Sequence, residues 1–488
     1  MFIKRIAAII VLMMICCAAL YAQDESAHHM LVKVMPETPE RLQELFQYHH
    51  LDLCEGETYD TPHLFAYPED IDLLIQLGYP YEILHEDVES FYADRIGNTP
   101  LTLMGGYKTY AEIVAELDSI HAAHPDITTA KFSIGNSLQG RPLWVMKISD
   151  NPNIDENEPE VFYNTLTHPR EIVTMEVLFH FMHHITDNYG TDAEVTEIIN
   201  GRELYFLPCV NPDGHEHNRT TNPNGGGLWR KNRRNNGNGT FGVDIARNYG
   251  FTWGLDNEGS SPNPGSLAYR GTAPFSEPET ASLRDFINSR NFVLSLDYHA
   301  YGNVFLYPWG TDYYDGDGLT PDDITFQMIS DSMATSIEQV YGTEIPYGTG
   351  WQLYYNTNGA SFDWEYGDTT DHAKIIAIAP EVGTWDDGFW PSIARAESLK
   401  VEWLPANIFF ARIAGELTSP DDLTVFYHSA TNSLFFDWSP TGAPLYKLYS
   451  ASSPAGPYDV LVTEVSSAFA LIPLPDAQST FYKVKSIY

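Results

Sequence analysis

Short apolar runs and segments of helical periodicity alternate through the middle of the chain. The runs at 160–167, 203–210 and 292–297 are rich in apolar, β-branched and aromatic residues without regular alternation, which is typical of strands buried on both faces. Amphipathic helices are predicted between such runs, for example over 110–122 and 173–188. The pattern predicts an α/β fold in which helices cover both faces of a mixed, mostly parallel sheet.

The amino-terminal part of the chain has a different pattern of apolar and charged residues. Lys4 and Arg5 precede an apolar stretch that reaches residue 20, which is the layout of a secretory signal peptide over 1–22. Residues 23–100 alternate short strands and helices, and they carry 17 acidic against three basic side chains. We therefore expect a cleaved signal followed by a small, acidic α/β module.

The sequence pattern changes again towards the carboxy terminus. Beyond residue 420, short alternating runs are separated by Pro, Gly, Ser and Asn, which predicts a small all-β sandwich of fibronectin type III-like character over 420–488. The main α/β domain then occupies 107–416. The Gly, Asn and Pro residues within 94–106 predict an exposed linker in front of it.

Charge and cysteine content narrow the possible partners. The formal net charge is −39, so nucleic acid and anionic membranes would be repelled and are not expected partners. Outside the signal, no stretch approaches the length of a membrane span, and only Cys54 and Cys209 remain, which excludes a disulfide framework. We expect an exported protein, extracellular or periplasmic, and a monomer.

Metal-binding and acidic side chains follow the predicted strands where each strand ends. His168 and Glu171 come directly after the run at 160–167, His299 follows the run at 292–297, and Glu381 ends a third run that begins at residue 374. Ligands of α/β sheets gather at the carboxyl ends of the strands, and His and Glu are common zinc ligands. H-x-x-E alone is a weak signal, but the set predicts a zinc site.

Five ordered motifs add a family resemblance. They are H-P-R-E at 168–171, N-P-D-G at 211–214, W-R-K-N-R through D-I-A-R-N at 229–248, Y-H-A-Y at 298–301 and P-E-V-G at 380–383. With this order and spacing, the chain resembles a zinc carboxypeptidase of the carboxypeptidase A-like family over about 107–415. Residues 31–90 resemble the family's amino-terminal propeptide more loosely.

The resemblance implies a role for each motif residue. His168, Glu171 and His299 would hold one Zn²⁺, with water in the fourth position. Glu381 would be the general base that passes a proton to the leaving amine. Arg230 would stabilise the oxyanion.

The resemblance also implies how the substrate is held. Arg247 would bind the terminal carboxylate bidentately, Tyr355 would close over the substrate, and Arg170 and Tyr301 would line neighbouring subsites. The position that precedes the carboxylate-binding arginine is usually Asn in the family and is alanine here. Asn248 or Tyr355 would have to supply the missing hydrogen bond.

Phe362 takes the position at the floor of the family's specificity pocket, one place before D-W in G-A-S-F-D-W. An uncharged, apolar floor predicts a preference for neutral, apolar terminal residues. The expected protein is thus a secreted zinc metallocarboxypeptidase that acts on peptides and proteins, and whose propeptide covers the cleft until it is cut. A zinc amidase of cell-wall peptides or modified amino acids, and an inactive binding protein on a degenerate peptidase fold, remain as alternatives.

Overall fold

The computed structural model describes residues 28–46, 51–54, 61–96, 103–312, 318–417, 423–428, 432–438, 445–451, 460–467, 469–473 and 480–487. The signal peptide predicted over 1–22 lies outside these residues.

The amino-terminal module is a four-stranded antiparallel sheet with three helices. Its own core contains Val32, Leu64 and Leu74, while Phe65 and Tyr92 belong to the core of the main body. One side of the module is therefore packed against that body. Its elements are β1 (Met30–Val34), α1 (Pro39–Phe46), β2 (Asp52–Cys54), β3 (His63–Ala66), α2 (Pro68–Leu77), β4 (Tyr81–His85) and α3 (Val88–Ile96).

Residues 94–106, which were predicted to form an exposed linker, are exposed only in part. Ile96 and Met104 are buried, and the backbone N–H of Met104 donates to the carbonyl of Pro223 at 2.7 Å. Both ends of the segment are thus fixed to the main body because their apolar side chains enter its core. Residues 97–102 lie outside the described part of the chain.

The main body contains the predicted mixed sheet, with eight strands in the order β11-β10-β12-β9-β7-β8-β6-β5. The central strands β12, β9, β7 and β8 are all parallel, so their carboxyl ends meet at one edge. The strands are β5 (Phe132–Asn136), β6 (Pro142–Ile148), β7 (Glu160–Asn164), β8 (Glu203–Leu207), β9 (Phe292–Asp297), β10 (Val304–Tyr307), β11 (Tyr347–Thr349) and β12 (Ile376–Glu381).

Helices cover both faces of this sheet, which confirms the predicted fold class. Tyr163 on β7 packs against Phe181 on one face, and its neighbour Phe162 packs against Phe286 on the other. This alternation explains why the strand is apolar along its whole length. The helices are α4 (Tyr110–Ala123), α5 (Val173–Asn188), α6 (Ala193–Ile199), α7 (Pro212–Thr221), α8 (Pro278–Asn288), α9 (Asp323–Tyr341), α10 (Gly350–Leu353), α11 (Ser361–Gly367) and α12 (Ile393–Leu417).

The carboxy-terminal strands form two three-stranded sheets, β13-β14-β17 and β16-β15-β18. Phe436 of one sheet and Leu448 of the other belong to one buried cluster, as in a sandwich. No helix among the described residues is long and apolar enough to cross a bilayer. The strands are β13 (Thr424–His428), β14 (Ser433–Asp437), β15 (Leu445–Ala451), β16 (Val460–Val465), β17 (Phe469–Pro473) and β18 (Phe481–Ile487).

Candidate metal centre and active site

Two histidines and a glutamate converge at the carboxyl edge of the sheet. The Nδ1 atom of His168 lies 2.7 Å from Oε1 of Glu171, and the Nδ1 atom of His299 lies 3.0 Å from Oε2 of the same carboxylate. The two Nδ1 atoms are 3.1 Å apart, and the three side chains are at most 8% exposed. This buried set of two nitrogens and one carboxylate matches the three protein ligands of a catalytic zinc site.

The strand ends explain the convergence. His168 and Glu171 share a tight turn after β7, closed by the N–H of Glu171 donating to the carbonyl of His168 at 3.1 Å. His299 follows β9, and its N–H donates to the carbonyl of Pro380 while it accepts from the N–H of Val382. Glu381 lies between Pro380 and Val382, so the same bridge fixes this glutamate beside His299, one of the candidate metal ligands.

Carboxylates stand behind both histidines. Oδ1 of Asp244 is 3.1 Å from Nε2 of His168, and Oδ2 of Asp297 is 3.5 Å from Nε2 of His299. Carboxylates in these positions hold a proton on Nε2 and leave the Nδ1 lone pair directed at the metal site. Asp297 is itself held by the hydroxyl of Thr167, which donates to it at 3.2 Å.

Electrostatics keeps the acidic groups of this centre ionised. Burial alone would raise the pKa of Glu171, but His168 and His299 outweigh burial and lower it. Burial would also raise the pKa of Asp244, but Arg230 and His168 hold it well below its usual range. Glu171 is therefore available as an anionic ligand, and Asp244 as a permanent acceptor.

The centre opens into a cleft that contains most of the predicted site residues. Ala246, Leu53 and Cys54 also line the cleft. The predicted site residues in its lining are Arg170, Arg230, Arg247, Tyr301, Tyr355, Phe362 and Glu381. The structure thus brings together all three predicted ligands, the predicted base and six of the seven other predicted residues.

Asn248 is the exception, and its predicted contact with the substrate requires correction. Its side chain is fully buried, and its amide nitrogen donates to the carbonyls of Arg270 and Ala273. Its amide oxygen accepts from the N–H of Glu277 and from the hydroxyl of Thr280. Because these bonds hold the loop before α8, the amide is not available to a substrate carboxylate.

The three arginines of the cleft differ in how they are paired. Arg230 donates to Oδ2 of Asp244 at 3.0 Å, and Arg170 donates to both oxygens of Asp52 on β2. Arg247 donates to the carbonyl of Ala246, while its Nε is buried and has no partner among the residues that the structure describes. Arg247 therefore lines the cleft without an ion-pair partner among the described residues.

The floor of the cleft is apolar. Phe362 clusters with Leu306, Ala360 and Ala379, and all four line the cleft. The neighbouring Asp363 accepts the N–H of Gly310 at 2.9 Å, and burial raises the pKa of this carboxyl to about 7. Asp363 is not among the residues that line the cleft, so its charge does not belong to the pocket floor.

Comparison with known proteins agrees with this geometry. The sequence profile described as zinc carboxypeptidase, Peptidase_M14, matches residues 113–402. The chain belongs to this family. It is similar to carboxypeptidase A2 of Mus musculus, at 29% identity over 371 residues that cover 71% of this chain and 85% of the relative. It is also similar to a zinc carboxypeptidase of Saccharothrix mutabilis subsp. capreolus, at 33% identity over 294 residues, or 59% of this chain and 64% of the relative.

A solved structure gives the same result for the fold. Carboxypeptidase A from Helicoverpa armigera superposes with a TM-score of 0.67 and 25% identity, and the match covers 80% of this chain and 98% of that one. The chain is therefore a metallocarboxypeptidase, a peptide hydrolase of a zinc enzyme family.

Two residues of the site were not predicted from the sequence. Asp244 lies inside the D-I-A-R-N motif, and its position three before Arg247 was the only available signal. Asp52 lies in a different module, 118 positions from Arg170, and nothing in the local sequence marks it.

Proposed function

We propose that this chain is an exported zinc carboxypeptidase, made as a zymogen, that removes neutral, apolar residues from the carboxy termini of peptides. The observation that carries this proposal is the presence of His168, Glu171 and His299 in one cleft with Arg247. The first three supply a catalytic metal site, and the last supplies a cation for a terminal carboxylate.

The metal site and Glu381 account for the chemistry of the proposal. His168, Glu171 and His299 would hold Zn²⁺, which when bound would supply a Lewis acid for the scissile carbonyl and would lower the pKa of water. Glu381, fixed beside His299 by the backbone bridge, takes up a proton from the attacking water and delivers it to the leaving amine. Arg230 offers its guanidinium to the developing oxyanion, and Asp244 keeps that guanidinium in place.

Arg247 is the basis for proposing exopeptidase action. Its planar fork can bind a terminal carboxylate with two hydrogen bonds, and its buried Nε lacks a partner among the described residues. Ala246 adds no side-chain donor, so Tyr355 is the remaining candidate for a second contact. The apolar cluster of Phe362 supports a preference for neutral terminal residues, because a charged side chain would be desolvated there without a partner.

The amino-terminal module supports the zymogen proposal. Leu53 and Cys54 of β2 line the cleft, and Phe65 of β3 stacks on Phe389 at 5.2 Å between ring centres. Asp52 of this module forms an ion pair with Arg170 in the cleft. Burial would raise the pKa of Asp52, but Arg170 outweighs burial and lowers it. We propose residues 23–100 as the propeptide, 107–416 as the catalytic domain and 420–488 as an accessory β-module, with export directed by residues 1–22.

One experiment tests the carboxypeptidase proposal and separates it from the amidase alternative. The purified chain, after limited proteolysis between residues 96 and 107, is assayed on a peptide ending in Leu and on its carboxy-amidated twin. We expect cleavage of the free acid only, loss of activity with a zinc chelator and recovery with added zinc. Equal rates on both peptides would favour a zinc amidase, for which Ala246 is the supporting residue, and activity indifferent to zinc would refute both.

A further inference from the structure

Two adjacent histidines before β1 face two carboxylates at the start of α3. Nδ1 of His28 lies 3.4 Å from Oδ1 of Asp87, and Nδ1 of His29 lies 2.5 Å from Oε1 of Glu89. The ligand atoms of His28, Asp87 and Glu89 all lie within 4.8 Å of one another, so these three side chains can share one cation. This amino-terminal cluster contains none of the residues that line the catalytic cleft.

The two carboxylates of the cluster have no permanent cation beside them. Among the described residues, Asp87 and Glu89 form ion pairs with histidines and with no lysine or arginine. Glu89 is only 9% exposed, and burying a carboxylate without a compensating charge is costly. The module around it carries 17 acidic against three basic side chains over residues 23–100, so it offers little compensation. A divalent cation would balance the two negative charges.

The ligand set and the spacing suit zinc. In a tetrahedral zinc site with bonds of about 2.0–2.2 Å, neighbouring ligand atoms are roughly 3.3–3.6 Å apart, which matches the contact of His28 with Asp87. Imidazole with carboxylates is a common ligand set for Zn²⁺, whereas Ca²⁺ and Mg²⁺ take oxygen ligands. The side chain of His28 is 60% exposed, so water can reach the remaining coordination position.

Local hydrogen bonds hold both carboxylates in place. The N–H of Ser90 donates to Oδ1 of Asp87 at 2.9 Å, and its hydroxyl donates to Oδ2 at 2.7 Å. The N–H of His29 donates to Oε2 of Glu89 at 3.0 Å, and the ring of His29 packs on Tyr67 with 4.2 Å between ring centres. Because each carboxylate oxygen has a second lone pair, these bonds orient the acids and still leave lone pairs for a metal.

We propose that His28, Asp87 and Glu89 bind a second, structural Zn²⁺ in the uncleaved chain, and that His29 orients Glu89 towards it. The proposal concerns metal binding in the amino-terminal module and does not depend on the proposed carboxypeptidase activity.

The position of this site gives it a structural role. The ion ties the segment before β1 to the start of α3, and α3 packs directly on the main body. Tyr92 of α3 belongs to the core of that body, and a Cβ at Gly226 would lie 2.6 Å from the carbonyl oxygen of Glu89. The second zinc therefore fixes the helix that joins the amino-terminal module to the catalytic domain.

The test counts the zinc ions bound to the full, uncleaved chain. The protein is stripped with a chelator, reloaded with zinc in excess calcium and gel-filtered, and its metal content is measured by mass spectrometry. The calcium keeps zinc out of the all-carboxylate clusters elsewhere in the described chain. We expect two zinc ions in the wild type and one in His168→Ala. His28→Ala and Asp87→Asn should each keep one, and His28→Ala combined with His168→Ala should bind none.

The role of His29 has a separate readout. His29→Gln should weaken zinc binding at the second site about 10–100-fold, measured by competition with a chromophoric chelator, because Glu89 loses the ring that orients it. His124→Gln is the matched control. His124 pairs with Asp187 at 2.9 Å, and no third metal-binding side chain joins them among the described residues, so this variant should keep both ions.

Two results would overturn the inference. One is a single zinc in the wild type that is lost in His168→Ala. The other is a second zinc that persists in both His28→Ala and Asp87→Asn, each with the circular dichroism of the wild type. Because the ions are counted without a substrate, either result leaves the carboxypeptidase proposal to its own test.

Discussion

The ion pair between Asp52 and Arg170 predicts a measurable latency. Asp52→Asn removes the charge from β2 and leaves the shape of the side chain almost unchanged. Arg170 is 1% exposed and Asp52 is 9% exposed, so the pair is little screened by solvent. Removing one partner of a buried pair costs about 3–5 kcal/mol, and we take the lower end because asparagine keeps one acceptor.

That magnitude sets the expected result. If the pair holds the module over the cleft, a loss of about 3 kcal/mol should raise the activity of the uncleaved chain on the order of 100-fold, up to the limit set by the cleaved enzyme. The assay is hydrolysis of a short peptide ending in Leu by uncleaved protein whose intact mass has been checked. The cleaved forms of wild type and Asp52→Asn should have equal activity, since both have lost the module.

Asp72→Asn provides the matched control, because Asp72 is an exposed acid of the same module on α2. It should leave the uncleaved chain latent. If uncleaved Asp52→Asn remains as inactive as the wild type while its cleaved form is active, the pair does not maintain latency. The module would then block the cleft through its apolar contacts alone, such as Phe65 on Phe389.

Three further predictions concern the catalytic body. Asp244→Asn should weaken zinc affinity about 10–100-fold, measured by competition with a chelator, because His168 loses the carboxylate that orients it. Phe362→Asp should shift the best terminal residue from Leu to Arg in kcat/KM, and an unchanged ranking would remove Phe362 from the pocket floor. Burial, together with the charge of Asp297, raises the pKa of Glu365 to about 8. The contribution of this group to the free energy of unfolding is therefore fully present below about pH 4.5 and is lost as the pH rises through 8. Glu365→Gln should therefore be more stable than the wild type at pH 9 by roughly 3–5 kcal/mol, and equal denaturant midpoints there would contradict the shift.

The catalytic strand ends could be predicted because burial on both faces leaves a strong signal. β9 was predicted at its observed bounds, Phe292–Asp297, and the polar residues after it mark where the strand leaves the core. The same reasoning placed His168 and Glu381 at the ends of parallel strands. Position along a parallel sheet is thus readable from local sequence, since the predicted runs that end at 167 and 210 extend only a few residues past the ends of β7 and β8.

Side-chain contacts were predicted less well where tertiary partners compete with local ones. Ser276 and Glu279 have the spacing of a capping box, but the residue at the amino-terminal cap of α8 is Glu277. Glu279 instead accepts from the N–H of Leu138 at 3.2 Å and from the amide of Asn232 at 3.3 Å. Both partners are distant in sequence, so no local pattern contains them. Asn248 failed as a substrate contact for the same reason.

Asp244 shows how one buried carboxylate can connect two catalytic tasks. Its Oδ1 faces Nε2 of His168 and its Oδ2 accepts from Arg230, so the same group orients a metal ligand and the proposed oxyanion donor. The N–H of Ala246 donates to Oδ1 at 3.1 Å, which also ties the start of the turn that carries Arg247. A shift of this single carboxylate would therefore move the proposed metal ligand His168, the proposed oxyanion donor Arg230 and the proposed carboxylate-binding Arg247 together. Because rigid placement of all three is what the chemistry requires, the full burial of Asp244 and its strongly lowered pKa serve positioning rather than proton transfer.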